Sequence, residues 1–373
     1  MGSRLRARLG ADGLSVRLPR RSRRWATLAA SATLAASFFI RPVVAQTPER
    51  LFTIAHPAMG TTFTLYIYAD SERQANADSQ LVFDEIDRLE ELLSNYRETS
   101  ELSRINREAA KGPVTTDPET FSFLADSLQW SERSDGAFDI TVGKLMKAWG
   151  FFDKRGRIPD EADLSQLRSE TGWRKIQLEP QTRTVRFTSA GVELDPGGIG
   201  KGFAVDKAVA ILRAEHVAAA MLSAGGSTIY ALGAPPGTNG WKVVVPEPGR
   251  AGAALSTITL RDTSLSSASC AEKHFILQGH LYCHIMDPRT LRPVEGMLQV
   301  TIVDPSATAS DALSNVLFVK PPRESIRFLR SLPGDAAFLV SGSVGKPRCY
   351  PVHWHDAIAS DHCSIEESTK ERN

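Results

Sequence analysis

Between a strand-like stretch at 184–194 and a helical pattern through Ala204, Ala208, Ile211 and Leu212 lies the run Asp195-Pro196-Gly197-Gly198-Ile199-Gly200-Lys201-Gly202, and no other segment limits the fold as strongly. Glycines at a helix start let backbone N–H groups approach a phosphate closely, while the helix presents its positive end. The run is not a P-loop, because Gly202 rather than Ser or Thr follows Lys201, and its glycines are misspaced for a dinucleotide fingerprint. A tight strand-to-helix turn with a solvated Lys201 would use the same residues.

Around this run the periodicity predicts separate strands and helices. Residues 51–68, rich in Thr, Ile, Tyr and Phe, read as two strands with a turn at Ala58-Met59-Gly60. Val82, Ile86, Leu89 and Leu93 recur at helical spacing, which predicts an amphipathic helix over 79–93. Asp117-Pro118 supplies a cap and a first-turn proline for a second helix ending near Arg133. The 184–194 stretch reads as strands around a turn, most of 219–304 as strands, 311–319 as a short helix and 336–341 as a late strand. Strands clustered between helices without regular βα alternation define an α+β class, with mostly antiparallel or mixed sheets and flanking helices.

Charge separates the N-terminus from the rest. Residues 1–45 hold nine Arg and one Asp, leaving 35 basic and 42 acidic side chains in 46–373, a net charge of about −7. That body has no excess of cations to attract phosphates, so a nucleic-acid partner is not expected. Arg17, Arg20, Arg21, Arg23 and Arg24 precede an uncharged stretch at 25–40 and then Pro42-Val43-Val44-Ala45. The order predicts an export signal cleaved after Ala45, since sixteen Ala-rich residues fall short of the roughly 20 that span a bilayer. The pair Arg23-Arg24 hints at twin-arginine export. In an exported chain Cys270, Cys283, Cys349 and Cys363 can form disulfides in three connectivities, among which the sequence does not choose. His353, His355 and His362 near the last two cysteines match no common zinc spacing.

Two further clusters carry chemistry. His284-Ile285-Met286-Asp287-Pro288-Arg289 leaves a strand for a turn, where a His binds phosphate, moves a proton or serves structure alone. Asp311 and Asn315, four apart on a helix, place two oxygens on one face, and oxygen ligands suit Mg²⁺. An Asp at a helix start is also an ordinary cap.

In chain order MGTTF, SNYRETSELSRIN, GAFDITVGKLMKAWGF, LDPGGIGKGFAVD, AGG, HIMDPRT and SDALSNVLFV resemble the FAD:protein FMN transferase family, the ApbE-like flavin transferases, over about residues 51–345. The resemblance implies an export signal at 1–45, a flavin transferase domain at 46–350 and a polar tail at 351–373. It implies an exported, periplasmic or periplasm-facing enzyme that binds FAD and Mg²⁺. Such an enzyme transfers FMN to a Thr or Ser hydroxyl of an acceptor protein and releases AMP; a peripheral association with the inner membrane stays open. By the same resemblance Met59, Tyr96, Ala137, Phe138 and Asp139 line the FAD site, Asp195 and Lys201 contact the nucleotide, and His284 and Ile285 flank the reacting centre. Mg²⁺ falls to the Gly198 carbonyl, Asp311 and Asn315, with Asp311 and His284 as the catalytic pair.

The chain departs from the family pattern at three places. Asn315 stands where the family usually has Thr, Ser227 replaces an acid after Gly225-Gly226, and Ser267-Ala268-Ser269-Cys270 replaces Thr-Ser-Gly-Asp. Two other readings therefore remain, an FAD pyrophosphatase yielding FMN and AMP, and a non-catalytic exported flavin-binding protein.

Overall fold

The computed structural model describes residues 49–366 apart from Pro333, so the expected export signal at 1–45 lies outside the described residues. A nine-stranded sheet runs in the order Arg50–Ala58, Thr61–Ala69, Ala219–Ala224, Thr228–Gly233, Thr263–Ser269, Met297–Asp304, Ala336–Ser343, Lys346–Val352 and Ser364–Ile365. Its neighbours pair antiparallel until the last strand, which is parallel to its neighbour. The helices are α1 (Glu72–Leu93), α2 (Glu101–Glu108), α3 (Pro118–Arg133), α4 (Gly143–Ala148), α5 (Glu161–Glu170), α6 (Gly200–Ala214), α7 (Ala307–Val319) and α8 (Pro322–Arg330).

Both faces of the sheet are covered, and alternate side chains show it. Leu65, Ile67, Leu222, Tyr230 and Leu339 face a core shared with α1, α6 and α7. Their neighbours Met221, Ile229, Ala231, Phe338 and Val340 face the opposite core, built on Trp241, Val243, Val245 and Leu255 of the hairpin Trp241–Pro246/Ala254–Leu260. Strands buried on two faces lose the apolar–polar alternation of a half-exposed sheet. Hence Ala219–Ala224 reads simply as an apolar run.

Several boundaries differ from the sequence reading. Helix α1 starts at Glu72 rather than near 79, because Ser71 caps it through Gln74 N and the first turns bury little beyond Ala75 and Asp78. The unforeseen α2 has only Leu102 and Ile105 buried, too few to print a period. In 184–194 only Thr184–Phe187 is a strand, paired in a small sheet with Ile176–Glu179 and Val114–Thr115. Gly191, at φ +85°, breaks the chain before a second strand can form. The boundary placed at 350 does not divide the fold either. Lys346–Val352 crosses it, Cys363 is disulfide-bonded to Cys349, and Ile358 bridges Ser256.

Helices α6 and α7 cross where the glycine run ends. A Cβ on Gly202 would lie 2.2 Å from the carbonyl oxygen of Ala307, so only glycine permits the approach. Asp206 of α6 caps α7, accepting from Ala307 N at 2.8 Å, Thr308 N at 2.9 Å and the hydroxyls of Ser306 and Thr308 at 2.7 Å. Against the sheet α7 uses small polar groups, with Ser310 Oγ 2.9 Å from Ser264 Oγ and 2.7 Å from Ser266 Oγ. Gly202→Ala should therefore cost about 3 kcal/mol in urea denaturation, the upper part of the overpacking range. Gly112→Ala, with nothing within 4 Å of the new methyl, should stay within about 0.5 kcal/mol of the parent.

Candidate functional site

The glycine run is held from three sides. Asn106 of α2 accepts from Leu194 N at 2.8 Å and donates to Leu194 O, and Asp195 N donates to Ile140 O at 2.7 Å. Asp195 Oδ1 then accepts from Gly197 N at 2.8 Å, turning the chain, and Gly200 N donates back to Pro196 O. Helix α6 thus begins inside the run, without a side-chain cap of its own. Phe138 covers the turn, 3.1 Å from where a Cβ on Gly198 would stand, and the Met59 methyl lies 3.8 Å from the corresponding point on Gly200.

Lys201, in the first turn of α6, donates to Ser227 Oγ at 2.7 Å. Ser227 is carried there by the Gly225-Gly226 turn, whose φ values of +62° and +76° favour glycine. Asp311 approaches from α7. It is buried, and its Oδ2 accepts from Gly202 N at 2.9 Å while Oδ1 accepts from Thr228 Oγ1 at 3.3 Å. Burial raises its pKa above the usual carboxylate value, and the Lys201 charge opposes that rise. Asp311 is not at a helix start: Ser306 caps α7, and Asp311 sits in the second turn, where it satisfies the free third amide of α6. Asn315 Nδ2 donates to Gly198 O at 3.1 Å and to Asp311 O at 3.0 Å.

His284 borders the same cleft. Its Nδ1 lies 2.9 Å from the carbonyl oxygen of Lys273, which only accepts, so Nδ1 carries the proton and Nε2 keeps its lone pair. Burial, then the positive charge of Lys273, pushes the imidazole pKa down to about 3. Ile285 is buried beside it, its carbonyl accepting from Val294 N. A disulfide joins Cys270 to Cys283 at the base of the hairpin His274–Leu277/His280–Cys283, immediately before His284. The other pairs Cys349 with Cys363, which removes the tail thiols as metal ligands.

Not every expected residue offers itself to a ligand. Asp139 is buried and already accepts from Thr141 N, Thr141 Oγ1 and Trp173 N, so it braces the Phe138 turn. Ala137 is buried alongside it. Tyr96 has an exposed ring that stacks on Phe152 at 4.0 Å, and partial desolvation by the protein around it, then the Asp195 charge, raises its pKa. Sequence reasoning missed Glu272 and Lys273. Glu272 is open to solvent at the cleft, yet the protein around it raises its carboxyl pKa, opposed by the charge of Lys201 and reinforced by that of Asp311. No motif marks it; it lies just past Cys270, where the chain leaves the strand Thr263–Ser269 for the hairpin.

As for a metal, no group of three His, Cys, Asp or Glu side chains converges anywhere among the described residues. The Gly198 carbonyl, Asp311 and the Asn315 oxygen are a hard oxygen set that fits Mg²⁺, which completes its shell with waters and phosphate oxygens. The fit has one condition, that the Asn315 amide turn its oxygen toward the ion.

A turn of glycines lies under a lysine, with a buried carboxylate from a second helix and an α+β sheet behind them, an arrangement whose cation is suited to an anionic ligand. The model of the ApbE family matches residues 59–340. The FAD:protein FMN transferase of Treponema pallidum is 30% identical over 78% of this chain and 84% of its own length, and that of Klebsiella pneumoniae 28% over 72% and 83%. Among solved structures, the ApbE protein of Thermotoga maritima superposes with a TM-score of 0.72 at 27% identity, covering 78% of this chain and 94% of that one. The flavinyl transferase ApbE of Pseudomonas stutzeri gives 0.72 at 26%, covering 82% and 95%. The chain belongs to the ApbE family.

Two outcomes follow from the geometry. Asp311→Ala strands Gly202 N–H and the Thr228 hydroxyl, at about 1–3 kcal/mol for each buried group left unsatisfied, whereas Asp311→Asn should lose clearly less in denaturant titration. His284, neutral in the fold down to about pH 3 but protonating near 6.5 when unfolded, binds fewer protons folded than unfolded. Its contribution is therefore present above pH 6.5 and lost as pH falls from 6.5 toward 3. His284→Gln should flatten the acid limb of a melting-temperature profile in that window.

Proposed function

We propose that this protein transfers the FMN half of FAD to a Thr or Ser hydroxyl of an acceptor protein and releases AMP. One observation carries the reading: Lys201, at the open start of α6, is held by the neutral Ser227 hydroxyl rather than by an acid there, so its charge stays available to a pyrophosphate. The family membership and the relatives named for this reaction support it.

The acceptor oxygen attacks the phosphorus that bears the riboflavin side. A new P–O bond forms, the P–O–P bridge breaks, and AMP leaves with the bridging oxygen. Lys201, beside the glycine turn, binds the phosphate oxygens and holds them in line. The hydroxyl proton goes to Nε2 of His284. Much of that imidazole's low basicity comes from burial and neighbouring lysines, and an anionic pyrophosphate beside it favours the imidazolium. Half-buried Met59, over the turn that Phe138 packs from beneath, and exposed Tyr96 offer apolar and aromatic surface to the flavin or adenine ring. Gly198, Asp311 and Asn315 would hold Mg²⁺, which when bound would supply neutralisation of phosphate charge. The reaction takes place outside the cytoplasm, a placement supported by the pairing of all four cysteines.

Purified protein given FAD, Mg²⁺ and a candidate acceptor should yield AMP and covalently fluorescent acceptor in equal amounts. AMP and FMN without labelled acceptor would make it a pyrophosphatase, and no AMP at all a binder. Lys201→Met should slow AMP release by about 10²–10³-fold, the range for losing one preorganised donor to developing charge. FAD should bind more tightly than FMN in flavin-fluorescence titration, since only FAD spans the pyrophosphate turn; equal affinities would refute the reading.

A further inference from the structure

Asn315 stands one turn after Asp311 on α7, and its amide faces the glycine turn with the wrong end for a metal. Nδ2 lies 3.1 Å from Gly198 O and 3.0 Å from Asp311 O, and both carbonyls only accept, so the amide must present its N–H₂ to them. The Gly198 carbonyl is the one that a cation would use. The turn has little freedom to withdraw it, because Phe138 packs 3.1 Å from the Cβ position of Gly198.

We infer that Asn315 is a built-in competitor for the cation site: its amide nitrogen and a divalent cation claim the same Gly198 carbonyl. Mg²⁺ enters only when the amide turns over and both hydrogen bonds break. This rests on the proposed placement of Mg²⁺ and goes further, because it makes Asn315 the residue that sets the affinity. The chemistry of the alternatives shows why. A threonine hydroxyl on a helix donates its single proton to the carbonyl four residues back, here Asp311 O, and keeps lone pairs for a cation. A carboxylate has no proton to offer either carbonyl and adds a negative charge. The amide alone fits the turn better without an ion than with one.

The test is Mg²⁺ binding to the purified protein, by isothermal titration and by melting temperature in EDTA or MgCl₂, for the parent, Asn315→Thr, Asn315→Asp and Asp311→Asn. Asn315→Thr should bind Mg²⁺ about tenfold more tightly than the parent, the weight of roughly one net hydrogen bond, and Asn315→Asp more tightly still. In EDTA Asn315→Asp should melt below the parent, since its carboxylate faces two carbonyl oxygens, and Mg²⁺ should restore it. If parent and both Asn315 variants bind Mg²⁺ equally while Asp311→Asn weakens binding, the amide does not compete and the inference fails, though the metal placement stands. If none binds Mg²⁺, or Asp311→Asn binds as the parent does, the placement itself is wrong and the inference falls with it.

Discussion

The structure depends on two aspartates that exchange caps across one helix crossing. Asp311 of α7 takes the third amide of α6, and Asp206 of α6 takes the first two amides of α7 together with two hydroxyls at its start. Neither helix would approach the other so closely without Gly202, and α6 has no cap of its own. The arrangement solves a local problem, since the amides at a helix start must find acceptors. It also places a carboxylate under the glycine turn. A buried acid used in this way is structural and chemical at once, so its removal cannot be read as a change in chemistry alone.

Behind the crossing, the two-sided sheet gives the site its rigidity. Strand Ala219–Ala224 is buried on both faces, and the turn that follows it brings Ser227 to Lys201. Two strands along the sheet, Thr263–Ser269 leads into Cys270, whose disulfide to Cys283 returns the chain to His284. The front of the site is fixed by Asn106 from one motif and by Phe138 and Ile140 from another, each touching the 194–198 segment. Stretches far apart in sequence thus converge on the glycine run.

The electrostatic balance in the cleft distinguishes this chain. Lys201, hydrogen-bonded to Ser227, acts through its charge on Asp311, Glu272 and His284. The same lysine opposes the rise in both carboxylate pKa values and deepens the fall in that of the imidazole. An arriving pyrophosphate meets a cation whose hydrogen bond goes to a hydroxyl rather than to an acid.

The sequence by itself determined the α+β class, the first hairpin, α3, the glycine turn opening α6 and the candidate residues Gly198, Lys201, Asp311 and Asn315. Each rests on local physics: a cap followed by proline, a strand alternation, a cluster of glycines, a four-residue helical step. Family motifs added Met59 and Phe138, which composition could not. What only the tertiary structure decided is how those residues are used. Asp139, which the family resemblance places at the FAD site, is taken up by Thr141 and Trp173, and Asp311 reads as a cap of its own helix but caps another. Glu272 enters the cleft and Asn315 turns its nitrogen inward only because strands and helices distant in the chain meet there. A hydrogen bond needs a partner in space, and a sequence supplies partners only along the line.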